Sequence, residues 1–205
     1  MQGKDAPTGI IPHKKGYVYT RNGFAKNGTH NLWRENLKHP CHPLEKCIHL
    51  WPDTPTRYQK AITTYLVEIQ KLSSRILEMI GEGLGLEKGY FKDTSEVQLL
   101  SSNFYPPCAD PSLTLGISSH LDPSLITLVY QGGSSGLQFI KDGEWINVGA
   151  SPNAFVVNIV EPAKVLVNER EPSLYAASQY KDYVQINGGY GAHTAAILNA
   201  MRQDS

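Results

Sequence analysis

The chain has 205 residues, with 19 Lys and Arg against 19 Asp and Glu, so its formal net charge is zero. That length suits one domain with a substantial core, or part of a larger one. The balanced charge lacks the basic footprint that nucleic acid or an anionic membrane requires, so a neutral or small-molecule partner is expected.

The stretch "MQGKDAPTGIIPHKKGYVYT" places charges and prolines where a signal peptide needs an apolar core, and no segment is apolar enough to cross a bilayer. Cys41, Cys47 and Cys108 are odd in number and lack paired C-x-x-C spacing, against both a disulfide framework and a cysteine zinc site. A reducing, cytoplasmic setting is expected. Residues 1–57 are rich in Gly, Pro, Asn and Lys and read as irregular or short extended segments packed on a neighbour.

From Arg57 onward Tyr58, Ile62, Tyr65, Ile69, Leu72, Ile76 and Ile80 recur at three- and four-residue intervals, which predicts an amphipathic helix ended by Gly81, Gly83 and Gly85. "EVQLLSSNFY" then reads as an extended segment stopped by Pro106 and Pro107. Further strands are expected at "SLITLVYQ", at "GLQFI" and "EWINV" joined through the Asp142-Gly143 turn, and at "AFVVNIV", apolar enough to be buried on both faces. A long helix followed by closely spaced strands implies a mainly β fold with helical support: an incomplete jelly roll packed on the helix. Such a barrel wants about eight strands, more than the pattern supplies.

Within "SSHLDPSLITLVYQ", His120 and Asp122 form an H-x-D triplet. On a strand, alternation would put both side chains on one face, where a nitrogen and an oxygen can grip one cation about 2 Å away. The plainer alternative is that His120 caps a loop and Asp122 opens a turn with Pro123.

The run "NFYPPCADPSLTLGISSHLDPSLITLVYQGGSSGLQFIKDGEWINV" resembles the plant family of iron(II)- and 2-oxoglutarate-dependent dioxygenases: N-x-Y-P-P-C-x-x-P, then H-x-D, an L-I-T-L strand, G-L-Q and W-I-x-V, in that order. Upstream, "HPCHPLEKCIHLWPDTPTRY" and "EGLGLEKGYF" resemble the helical support of its hyoscyamine 6-beta-hydroxylase-like members. The resemblance implies a jelly roll, also called a double-stranded β-helix. It implies iron(II) bound by two histidines and a carboxylate, the first two ligands matching His120 and Asp122. It also implies 2-oxoglutarate beside Asn103 and Tyr105, dioxygen, ascorbate as reductant, and hydroxylation of a small, alkaloid-like metabolite. Leu125, Thr127 and Leu137 match the same stretch but suit a barrel wall.

The pattern then breaks. "AFVVNI" runs straight into "VEPAKVLVNEREPSLY", without the family's later H-R-V histidine or its R-x-S arginine, whose fork would clasp the distal carboxylate of 2-oxoglutarate. The expectation is a chain truncated at its N-terminus and internally deleted near residues 159–160, with an irregular remnant over 1–57, a partial oxygenase domain over 58–183 and a tail over 184–205. Open barrel edges would favour association. A catalytically inactive family member is the alternative. His193, in "GGYGAHTAA", reads as a solvated tail residue, and Arg170 and Arg202 lack a serine two residues on. Cys41, His42, Cys47 and His49 could be drawn as a zinc cluster but lack separated pairs of ligands.

Overall fold

The computed structural model describes residues 9–12, 18–24, 31–92, 98–122 and 124–159. It divides into two compact units at the junction of Ser119 and His120. The sequence break at 159–160 falls at the edge of the described residues, and Arg170, His193, Arg202 and the tail lie outside them, as does Pro123.

The first unit is built on an antiparallel sheet. Strands β1 (Gly9–Pro12), β2 (Val18–Phe24), β3 (Asn31–Pro40) and β4 (Leu99–Phe104) follow one another in space, and β5 (Thr114–Leu115) pairs parallel with β3. The ten-residue β3 is therefore the centre of a sheet, beyond the irregular or short extended segments expected before residue 57. Its strand character is hidden because its two buried side chains, Asn36 and His39, are polar, so the hydrophobic alternation that signals a strand is missing.

After β3 come a short helix α1 (Leu44–Cys47), one 3-10 turn (Ile48–Leu50) and the 26-residue helix α2 (Tyr58–Gly83). Cys41, Cys47, Trp51 and Leu66 form the buried centre, with Leu44, Ile48, Tyr58, Ile62 and Leu100 packed around them. Trp51 is fully buried and donates its indole N–H to the Pro40 carbonyl at 2.7 Å, so its one polar group is satisfied inside the core.

The buried stripe of α2 departs from the expected one at two positions. Leu66 and Leu77 are buried, while Tyr65 and Leu72 are exposed. The other five expected positions, Tyr58, Ile62, Ile69, Ile76 and Ile80, are partly buried. The helix ends in a Schellman arrangement: Leu86 N–H donates to the Gly81 carbonyl, Gly85 N–H donates to the Glu82 carbonyl, and Gly85 takes φ +69°. Of the three glycines expected to end α2, Gly85 supplies the left-handed residue; Gly81 lies inside the helix, against Phe91.

In the second unit β6 (Ile126–Val129) pairs antiparallel with β9 (Val156–Ile159), and β7 (Leu137–Lys141) pairs with β8 (Glu144–Val148). Asp142 and Gly143, at φ 54° and 86°, make the two-residue turn that the Asp-Gly pair predicts. Gln131 links the two pairs, donating to the Val148 carbonyl and accepting from Leu137 N–H, both at 3.3 Å. β9 is half-exposed, not buried on both faces, with Val157 and Ile159 open to solvent. No helix among the described residues is long and apolar enough to cross a membrane.

Candidate functional site

His120 and Asp122 begin the second unit. They lie on an irregular segment that leads into β6, rather than on the strand itself as expected. The strand β6 starts only at Ile126. The two side chains nevertheless face each other, with His120 Nε2 3.4 Å from Asp122 Oδ1.

Asp122 is held from its other side as well. Its Oδ2 accepts from Asn158 Nδ2 at 3.1 Å, across from β9. The neighbouring His120 side chain is the main influence holding the Asp122 carboxyl below the usual range; burial opposes this, and hydrogen bonds from Asn158 and Thr127 add to it. At neutral pH Asp122 is a carboxylate, an acceptor-only group. Asn158 escaped sequence reasoning because it sits in a run read as a doubly buried strand. Thr127, read there as part of a barrel wall, also has a polar role beside Asp122.

A nitrogen and a carboxylate oxygen 3.4 Å apart can both reach one cation about 2 Å from each, and that donor chemistry suits divalent iron. Among the described residues no group of three His, Cys, Asp or Glu side chains stands together as a metal site. The Cys41 and Cys47 side chains belong to the first unit's core, and burial pushes the Cys41 thiol up to about 12. A protonated thiol is not the thiolate that zinc takes.

Asn103 and Tyr105 stand in the first unit. Asn103, on β4, is the register partner of Asn36 on β3. Its Oδ1 accepts from Asn36 Nδ2 at 2.8 Å and from Arg34 Nη1 at 2.9 Å. Because a guanidinium can only donate, the Asn103 amide oxygen must face Arg34, and its NH2 group is left to donate elsewhere. Arg34 and Asn36 carried no signal in the sequence beyond their polarity.

Tyr105 follows β4 and is half exposed. Its ring lies over Gly116 so closely that a Cβ at that position would stand 2.9 Å from Tyr105 Cε1. The glycine in "LTLGISSH" thus has a local task, leaving room for the ring.

Comparison with known proteins bears on what these residues serve. A profile of the 2OG-Fe(II) oxygenase superfamily matches residues 96–177, across the break at 159–160. Hyoscyamine 6-dioxygenase of Hyoscyamus niger is 40% identical over 173 residues, covering 82% of this chain and 50% of that protein. Flavanone 3-dioxygenase 2 of Oryza sativa subsp. japonica is 36% identical over 167 residues, covering 80% of this chain and 48% of that protein. The chain spans about half the length of these curated relatives.

A full-length Neurospora crassa protein, crystallised in complex with alpha-KG, shares the fold, with a TM-score of 0.64 at 18% identity over 81% of this chain and 56% of that one. With the profile match, the plant relatives and the shared fold in agreement, the chain carries a domain of the 2OG-Fe(II) oxygenase superfamily.

Proposed function

We propose that the chain is an oxidoreductase that uses iron(II), 2-oxoglutarate and dioxygen to hydroxylate a small specialised metabolite, with His120 and Asp122 as iron ligands. The observation that supports this reading is the convergence of His120 Nε2 and Asp122 Oδ1 within 3.4 Å, one nitrogen and one oxygen donor of the facial-triad type. When bound, the iron supplies dioxygen activation coupled to conversion of 2-oxoglutarate to succinate.

The chain's own groups have separable tasks in this reading. His120 offers a ring nitrogen, and Asp122 a carboxylate kept ionised by its hydrogen-bond donors. Asn103 offers amide N–H donors to an oxygen of the co-substrate, its own oxygen being occupied by Arg34 and Asn36. Tyr105 offers an aromatic face with a hydroxyl at its edge. The alkaloid-like substrate, ascorbate as reductant, the cytoplasmic setting and completion of the two strand pairs as a jelly roll are parts of the same proposal. The names of the relatives, one acting on hyoscyamine and one on flavanone, support a small specialised metabolite.

The alternative, an inactive relative, finds no support in the comparisons. One assay decides between them: succinate formation with iron(II), ascorbate, 2-oxoglutarate and a panel of small metabolites. Turnover above a His120→Ala control is the expected result; turnover equal to that control overturns the reading.

A further inference from the structure

Strands β6 and β9 are "ITLV" and "VVNI". Thr127 and Asn158 are their polar residues, and they are register partners, directly opposite one another across the pair. Cross-strand partners project to the same face of a sheet, and on this face Asn158 meets the Asp122 carboxylate. Asn158 Nδ2 donates to Asp122 Oδ2 at 3.1 Å, while Oδ1 is the oxygen beside His120 Nε2.

Thr127 also helps to hold the Asp122 carboxyl low, and toward a carboxylate, which only accepts, its hydroxyl can act only as a donor. Ser124 Oγ lies 2.9 Å from Thr127 Oγ1, a hydrogen bond in which either hydroxyl could donate. The Asn158 amide thus meets the carboxylate directly, with Thr127, its partner across the strand pair, held by Ser124 beside it.

We infer that Thr127 and Asn158 are positioning residues that fix the Asp122 carboxylate so that Oδ1, beside His120 Nε2, is presented to a divalent cation. The inference rests on the reading of His120 and Asp122 as metal ligands and adds what aims one of them. A carboxylate on an irregular segment can rotate about its own bonds; two donors from a paired strand set its plane before metal arrives. Partners that orient ligands in this way typically change metal affinity about 10–100-fold when removed.

The test is a Mn(II) titration of the full chain, followed by the electron paramagnetic resonance signal of free Mn(II), on the wild type, Asn158→Leu, Thr127→Val, Thr127→Ser and His120→Ala. Thr127→Val keeps the branched shape and removes the hydroxyl, whereas Thr127→Ser restores it. We expect Asn158→Leu to weaken Mn(II) binding about 10–100-fold and Thr127→Val about tenfold, with Thr127→Ser binding as the wild type does. If Asn158→Leu does not fold, the Thr127→Val and Thr127→Ser pair decides, since a merely structural role for the side chain would not be rescued by the hydroxyl alone. Wild-type affinity in Asn158→Leu and Thr127→Val overturns the inference while leaving the ligand reading intact. Wild-type binding no tighter than that of His120→Ala overturns the ligand reading and the inference with it.

Discussion

Each unit sets a histidine beside an oxygen, and the two settings differ. In the first unit His39 is 1% exposed, and its Nε2 stands 2.7 Å from the Tyr58 hydroxyl. Its Nδ1 lies 3.3 Å from the Pro40 carbonyl; a carbonyl only accepts, so Nδ1 carries the proton and Nε2 accepts from Tyr58. Both ring nitrogens are thus engaged within a packed core that includes Trp51, whose ring centroid is 4.8 Å away. In the second unit the His120 side chain is 49% exposed and that of Asp122 21%, and their contact is a looser 3.4 Å.

A histidine whose nitrogens are both committed to neighbours in a dry core contributes rigidity and has nothing left to offer a ligand. A histidine and carboxylate that face each other with solvent access, the carboxylate steadied from behind, can be reached by a cation. The first arrangement suits stability and the second suits the proposed binding of a cation.

Substitutions can pull these two roles apart. The largest effect is expected from Trp51→Ala, which empties the centre of the first unit and should cost about 3–5 kcal/mol of stability, read from denaturant unfolding. A loss under about 1 kcal/mol, the ordinary effect of a point substitution, would show that the core is not centred on this indole. Asp122→Asn should do the reverse. Mn(II) affinity should fall by at least about 100-fold, the upper range for losing a mere supporting partner, while the loss of stability stays smaller than that of Trp51→Ala. Equal destabilisation by both variants would erase the distinction between the units.

A third prediction uses pH. Burial holds His39 below its ordinary value of 6.5. The unfolded chain therefore binds more protons than the folded one between the depressed value and 6.5, and stability rises with pH across that window. On acidification below 6.5 the thermal midpoint should fall, and His39→Gln, which has no ring to protonate, should flatten that slope. Parallel slopes for wild type and variant would contradict the assignment. The smallest effect is expected from Gly116→Ala. Its new methyl must displace the Tyr105 ring, so 2-oxoglutarate binding, followed by quenching of intrinsic fluorescence, should weaken about fivefold, on the order of 1 kcal/mol. Unchanged affinity would separate Tyr105 from the co-substrate.

What the sequence displayed and what it concealed follow from where the chain is apolar. The β7–β8 hairpin is legible because Asp142-Gly143 supplies the two left-handed residues that its turn needs. Helix α2 is legible from the three- and four-residue spacing of its apolar residues, of which only Tyr65 and Leu72 turn out exposed. Strand β3 is concealed because its interior positions are Asn36 and His39, whose partners lie 65 residues and 19 residues away. The pairing of His120 with Asp122 is suggested by the triplet, although on an irregular segment rather than a strand. The support from Asn158 is not, since nothing local announces a contact spanning 36 residues.

The central claim is that His120 and Asp122 together hold a divalent cation, and anaerobic calorimetry of iron(II) binding to the full chain tests it most directly. The expected result is one iron bound per chain by the wild type and no saturable binding by His120→Ala or Asp122→Asn. Equal binding by all three proteins would contradict it.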